Sequence, residues 1–574
     1  MSENSFPPGA LEATALLALA KAGGPGAAMA ARRAAWLAER QDLALAREAL
    51  SIAAQLEPLD PLPRLALARL AAEQGDLDQA RSEAQAVLAE AVDQAARARA
   101  AFVLAEIARV RRENDAARRF YLQVLQIEDA ILSAARSDTT AARWYARARG
   151  RIAELDANEG ELDRARTGAE GALAMLRATA AAIGEPPVLA ADIADAELRL
   201  GALELDDNQP ASARRRFGEA IGRYEALAVN EKDEPHWRAV LADAWALAAE
   251  ADYVRGAHDK ARAAMDKALQ ARLRLAARHT EEAWALAGTW RLRGALCAAL
   301  GDGAAAADSY AQARALAEKL AQRANGAEAP NRFLAHTLLD QADHALRSGQ
   351  LDAAREAADG ARKHAEWFAR APAAAAIWFT DVAASWDRLG EVARLGGAYE
   401  QTQEAFARAL EFRRMALDRE PESGQFKRGV AAALVKAGEA ALEAGATQSA
   451  RAAFQESVAM RLRMFDRGGD DARAAQALAA ALERLGLAAK AMGDSESARA
   501  AWEEELLLAD HIFAEAHSVE ALRFRAIVES HLAAVSGASA ERHRVSALKQ
   551  FDELARACQL TEREAALRKR LWGA

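Results

Sequence analysis

Residues 349–355 read Gly-Gln-Leu-Asp-Ala-Ala-Arg, and the phrase returns as GDLDQAR at 75–81, GELDRAR at 160–166 and GDSESAR at 493–499. Aligned on its alanine, it marks Ala46, Ala80, Ala117, Ala165, Ala213, Ala261, Ala306, Ala354, Thr402, Ala450 and Ala498. Successive anchors are 34, 37, 48, 48, 48, 45, 48, 48, 48 and 48 residues apart. Self-similarity at a fixed period marks a repeat array, in which each unit is one supersecondary element stacked on the next.

Twelve residues before each anchor a second position is always small: Ala34, Ala68, Ala105, Ala153, Gly201, Ala249, Gly294, Ala342, Gly390, Gly438 and Gly486. Two small positions separated by a turn are what a pair of antiparallel helices needs for close approach, since larger side chains there would overpack the crossing. Four residues after the anchor a larger group is common: Leu50, Tyr121, Phe217, Met265, Tyr310, Phe406, Phe454 and Trp502. One helical turn along, it shares the anchor's face and fills the space between helices. The Gly-Asp or Gly-Glu pair between the small positions suits a helix C′ glycine followed by an N-cap.

This order of small residue, turn, alanine and aromatic resembles the tetratricopeptide repeat, whose W-x2-L-G-x2-Y…A-x3-F…P signature recurs in units of about 34 residues. The nearest copy is Trp386-Asp387-Arg388-Leu389-Gly390, followed by Phe406 and Ala409, and the first repeat has Pro58 where the motif ends. Thr402 departs from the anchor alanine, and most copies lack the tryptophan. The resemblance covers residues 27–520 and is to a bacterial type with the repeat extended to 48 residues. It implies an all-α fold, a right-handed superhelical solenoid of antiparallel helix pairs. The expected layout is a partly flexible N-terminal segment over 1–26, eleven helix-pair repeats over 27–520, and degenerate capping helices over 521–574.

A 48-residue period adds about seven residues, or two turns, to each helix, so the apolar face stays aligned. Helices of about 20 residues and roughly 30 Å are expected from the fourth repeat onward, about 23 helices in all and no sheet. Breakers mark the connectors: IGEPP at 183–187, NEKDEP at 230–235, NGAEAPN at 325–331, REPESG at 419–424 and RGGDD at 467–471.

Composition agrees. The chain has 574 residues, beyond the size at which a single core keeps growing, and 52% hydrophobic and 28% charged content is globular. Alanine and leucine dominate the apolar share, a helix-forming vocabulary. A net charge of −9 argues against a nucleic-acid binder. Twelve arginines against seven acids over 93–151, with Trp144 and Tyr145 among them, read as a charge-mixed outer face. Cys297 and Cys558 are too few for a disulfide framework or a cysteine zinc site and read as small packed residues. The opening stretch lacks a basic start and carries Glu3 and Glu12, so it reads as helix and not signal peptide, and no run is apolar enough to span a membrane. A reduced, cytoplasmic setting follows as the expectation.

No phosphate loop, metalloprotease helix, nucleophile elbow or kinase signature is present, so an enzyme is not expected. His336, Asp340 and His344 share one helix face at a spacing that suits a divalent ion. Three positions on one helix fall short of the four ligands a structural zinc site takes, so the stripe is read as solvated surface, with no metal or cofactor. The arginine after the anchor (Arg47, Arg81, Arg118, Arg166, Arg214, Arg262, Arg355, Arg451 and Arg499) reads as outward packing by its stem. What the resemblance implies for function is a groove lined by the first helices that binds a protein or peptide. On that mapping the lining is Arg147, Arg151, Asp195, Arg199, Asp243, Glu250, Tyr253, His336, Asp343, Asp387, Glu391 and Arg394, basic at Arg147 and Arg151 and acidic from Asp243 onward. The expected function is a scaffold or adaptor for a protein or peptide partner, with a regulatory or sensor subunit that controls a separate effector enzyme as the alternative.

Overall fold

The computed structural model describes residues 10–573 apart from 25, 39–42, 74–75, 112, 136–137, 160, 231–234, 280–281, 325, 373, 469–471, 517, 536 and 558–559. Cys558 lies outside the described residues. Among them are 26 α-helices, one short 3-10 turn and no strand. The chain divides into two compact units, residues 1–280 and 281–574. The single 45-residue step, from Ala261 to Ala306, spans that division.

The first unit runs α1 (Ala10–Ala22), α2 (Ala27–Ala38), α3 (Leu43–Leu56), α4 (Pro61–Glu73), α5 (Leu77–Glu90), α6 (Gln94–Val110) and α7 (Asn114–Ala134). It continues with α8 (Thr139–Glu159), α9 (Leu162–Ile183), α10 (Pro187–Asp206), α11 (Pro210–Asn230), α12 (Pro235–Val254) and α13 (His258–Ala276). The second comprises α14 (Ala283–Ala299), α15 (Gly303–Arg323), α16 (Glu328–Arg347), α17 (Leu351–Ala369), α18 (Ala376–Leu395) and α19 (Tyr399–Arg419). After these come α20 (Gly424–Glu443), α21 (Thr447–Gly468), α22 (Ala472–Ala491), α23 (Ser495–Ala516), α24 (Val519–Ala533), α25 (Ala540–Ala557) and α26 (Glu562–Gly573). Within each unit a helix packs chiefly on its neighbours in sequence. Every anchor pair falls on consecutive helices, from α2–α3 to α22–α23. The surplus over the expected number comes from the flanks: α1 packs on α2, and α24 pairs with α25 although neither carries the repeat phrase. Helices α8 and α9 have 21 and 22 residues, against 12 and 14 for α2 and α3.

The turn inside each pair follows from the phrase. Gly349 has φ of 70°, its N–H donates to Leu346 O at 3.1 Å, and Gln350 N–H donates to Ala345 O at 2.8 Å. That is the Schellman closure, which satisfies carbonyls the helix end would leave open and needs a left-handed residue at C′. It recurs at Gly397, Gly445 and Gly493, and in the first unit at Gly256 and, with φ of 57°, at Asn208. The N-cap expectation holds only where the next residue is aspartate. Asp76, Asp302 and Asp494 accept from Gln79, Ala305 and Ser497 N–H at 3.0–3.2 Å. Glu161 and Gln350 make no side-chain cap, because one more methylene carries the oxygen past the N–H.

All eleven anchors, Thr402 included, are buried. The small position is sized to the residue 16 later. Glycine faces an aromatic ring in five pairs: Gly201–Phe217, Gly294–Tyr310, Gly390–Phe406, Gly438–Phe454 and Gly486–Trp502. Alanine faces alanine at Ala153–Ala169 and Ala342–Ala358 by the same spacing. The summed volume at the crossing is what close packing conserves.

The arginine after the anchor does more than lay its stem on the surface. In the first unit it reaches the turn of the next repeat: Arg47 to Asp76 at 3.0 Å, Arg81 to Glu113 at 2.9 Å, Arg166 to Asp207 at 2.8 Å and Arg214 to Asp252 at 2.8 Å. Arg118 binds both Asp156, at 2.6 Å, and Glu159, at 2.8 Å. Arg451 does the same to Asp494 at 3.0 Å in the second unit. Asp156 and Asp252 are buried, so these are partly desolvated inter-repeat ties.

Candidate interaction surface

The first helices of successive long repeats lie side by side, which brings together side chains 45 or 49 residues apart in a 48-residue period. Most of the residues that the sequence nominates meet a partner there. In the first unit Arg147, half-buried, pairs with Asp192 at 3.1 Å and lies over the Trp144 ring at 5.3 Å. Arg143 binds the same carboxylate. Arg151 pairs with Glu106 at 3.0 Å and with Glu154 at 2.7 Å, and Arg199 reaches Glu154 at 3.1 Å. Asp195 accepts from the Tyr224 hydroxyl, and burial together with that carboxylate holds the phenol well above its ordinary pKa. Asp243 pairs with Arg272 at 2.6 Å across α12 and α13. Glu250 is exposed, and Tyr253 stacks on His258 with ring centres 5.9 Å apart.

In the second unit His336 Nε2 sits 3.1 Å from Asp381, which also binds Arg332 at 2.7 Å. Asp343 takes two bonds from Arg388, at 3.0 and 2.8 Å. Asp387 is buried between Arg413 and, at 3.5 Å, Lys436. Glu391 and Arg394 pair with each other at 2.7 Å. The metal-spaced stripe does not converge: His336 faces Asp381, Asp340 pairs with Arg291, and His344 packs against the Tyr310 ring at 5.8 Å. No group of three or more His, Cys, Asp or Glu side chains placed to hold a metal is present among the described residues.

The partners Glu106, Asp192, Asp381 and Arg388 were not singled out from the sequence. A signal for them exists: opposite charges at one residue more, or three fewer, than the repeat period. The arginines of 143–151 and their acids therefore form a balanced lattice and not a free basic patch. Two kinds of hollow accompany it. Between α8, α9 and α10 an enclosed space of about 30 Å³ is lined by Arg143, Arg147, Asp192, Asp195 and Arg199. Larger spaces open between successive second helices. One of about 550 Å³ lies over Trp386 between α17 and α19, and one of about 430 Å³ lies between α3 and α5. No described helix is long and apolar enough to cross a membrane.

No family model matches the chain, and neither does any curated protein sequence. Among solved structures it is similar to the APC/C hetero-tetramer Cut9–Hcn1, at 14% identity over 98% of both chains with a TM-score of 0.31. The apo form of RapI is similar at 13% identity over 54% of this chain and 99% of that one, with a TM-score of 0.39. The S. pombe nuclear import adaptor Nro1 is similar at 12% identity over 50% and 98%, with a TM-score of 0.37. At such identities and scores none of these likenesses bears on function.

Proposed function

We propose that the chain is a protein-binding scaffold or adaptor of tetratricopeptide type with a lengthened repeat, and that it holds a protein or peptide along the faces of its first helices. The form of the free space carries this reading. Small-molecule sites are typically enclosed hollows of about 300–1,000 Å³. The enclosed hollow here, about 30 Å³, has room for about one water, while the larger spaces are open clefts. Open surfaces on a stack of helix pairs suit an extended chain better than a metabolite.

Within the twelve nominated residues the lattice separates walls from contacts. Arg147, Arg151, Asp195, Arg199, Asp243, His336, Asp343 and Asp387 are engaged by neighbouring helices and make the walls. Glu250 and Tyr253 in the first unit, and Glu391 and Arg394 in the second, are the proposed contacts. The test uses the full chain as bait in extract of its source organism, with cross-linking to locate the partner. A stoichiometric protein should cross-link to first helices, and its recovery should fall at least several-fold with Glu250→Arg or Arg394→Glu. The same reversal at Arg408, on second helix α19, should leave it unchanged. Equal recovery from all three variants would remove the first-helix face from the reading, and an effector enzyme whose rate changes on binding would favour the sensor alternative.

A further inference from the structure

Eleven residues past the anchor, each long repeat places one second-helix side chain between first helices. Four of these side chains are apolar: Leu176, Ala317, Ala365 and Ala509. Three polar ones find an acid on the first helix of their own repeat, 26 or 29 residues earlier. Tyr224 donates to Asp195, Arg272 to Asp243 at 2.6 Å, and Arg413 to Asp387. Repeat ten keeps the arginine, Arg461, but the two acid positions hold Val435 and Ala432.

Arg461 is half-buried on α21, and no described carboxylate pairs with it. Its Nε–H donates to Ser457 Oγ at 3.2 Å. Ser457 is itself fully buried and fixed, donating to Ala431 O at 2.8 Å. The guanidinium is thus held by one nitrogen, with its two terminal nitrogens unused by any described group. Burial alone moves its pKa, and moves it down, whereas neighbouring carboxylates raise that of Arg388 and Arg484. A charge withdrawn from water without a counter-ion is costly to keep. Leucine or alanine at the same register shows that the fold does not need a cation there.

We propose that Arg461 is a receptor for a carboxylate carried by a bound partner, which completes the pair that Asp387 completes for Arg413. A single planar guanidinium preorganised at Nε matches a planar carboxylate through its remaining edge. Valine and alanine in place of the acid leave that edge to the incoming group. The ligand class is a chain bearing an aspartate or glutamate side chain, or a chain terminus. This inference rests on the partner-binding reading only for what carries the carboxylate.

The test uses the full chain and ligand-detected NMR line broadening with three probes: acetyl-Ala-Glu-Ala-amide, its glutamine counterpart, and acetyl-Ala-Ala-Ala with a free C-terminus. Saturable broadening is expected with a carboxylate probe and at least tenfold weaker broadening with the glutamine peptide. The first and third probes tell a side chain from a terminus. Two variants remove the site by opposite means. Arg461→Leu deletes the cation, and Val435→Asp supplies an internal acid as Asp387 does for Arg413. Both should lose the broadening to the level of the glutamine probe while keeping the melting temperature, and a variant that fails to fold leaves the other as the measurement. Wild-type broadening in either folded variant, or equal broadening by all three probes, would overturn the proposal. Because the probes are synthetic, failure here leaves the scaffold reading standing. Failure to capture a partner from extract leaves the receptor standing.

Discussion

Replacing Gly438 with alanine should destabilise the α20–α21 pair, although the same exchange normally stabilises a helix. A Cβ on Gly438 would lie 2.6 Å from Cε1, 2.8 Å from Cζ and 2.9 Å from Cδ1 of Phe454. Carbon atoms pack at about 3.5–4.0 Å, so the ring or the helix must move by most of an ångström. Phe454 is fully buried against Ala441, Ala450 and Ala488 and has nowhere to swing. Overpacking costs about 1–3 kcal/mol, and three ring atoms inside 3 Å put this case near the top of that range. Alanine returns up to about 1 kcal/mol of helix propensity. The net loss is about 2 kcal/mol, roughly thirtyfold in the local opening constant. Hydrogen exchange read by mass spectrometry is the assay, because a repeat array need not melt in one step and the damage should be confined to α20, α21 and their neighbours. Gly222 and Gly288, whose Cβ would meet nothing within 4 Å, are the controls. Alanine there should raise protection by about 0.5–1 kcal/mol. Phe454→Leu should recover part of the loss in the Gly438→Ala background, and Gly438→Trp should cost more than alanine. If Gly438→Ala raised protection as Gly222→Ala does, the size-matched crossing would be refuted.

Arg118→Ala should cost about 2 kcal/mol in chemical denaturation. It strips the main partner from buried Asp156 and leaves Arg164 at 3.5 Å as partial compensation. Arg408→Ala, which breaks an exposed pair with Glu411, should cost less than about 0.5 kcal/mol. Glu505 is buried, and desolvation followed by the Glu483 carboxylate pushes its pKa up to about 9. The folded chain then keeps a proton that the unfolded chain has lost above about pH 4.5, so stability falls as pH rises from there to about 9, at no more than about 1.4 kcal/mol per unit. Glu505→Gln should flatten that part of the profile, raising the melting temperature at pH 8 while changing it little near pH 4.5. An unchanged slope would mean that the carboxyl is ionised in the fold.

The helix-pair array was legible because its crossings demand small residues at a fixed spacing, and nothing on the surface can hide a period that packing enforces. The anchors, the C′ glycines and the lengthened helices all follow from that constraint. Helices α1, α24, α25 and α26 carry none of the repeat phrase, so their packing rests on apolar faces that a motif count passes over. The twelve nominated residues were chosen by helix register and charge. That choice placed them on first helices, but it could not separate Arg147 or Asp387, engaged by neighbours, from Glu250, which is exposed.

The amino-acid sequence by itself determined what is local or periodic in this protein: which segments are helical, where they turn and which residues lie at each crossing. These depend on propensity, on the left-handed C′ residue and on volume at short range. The tertiary structure alone decided how charge is spent. Whether Arg151 meets Glu106 or solvent depends on how far one repeat rotates on the next, and a small rotation moves a guanidinium by several ångströms. The same rotation leaves Arg461 beside valine where Arg413 has aspartate. Packing selects residues by size within one repeat, whereas electrostatics couples residues a full period apart, and only the folded stack sets that register.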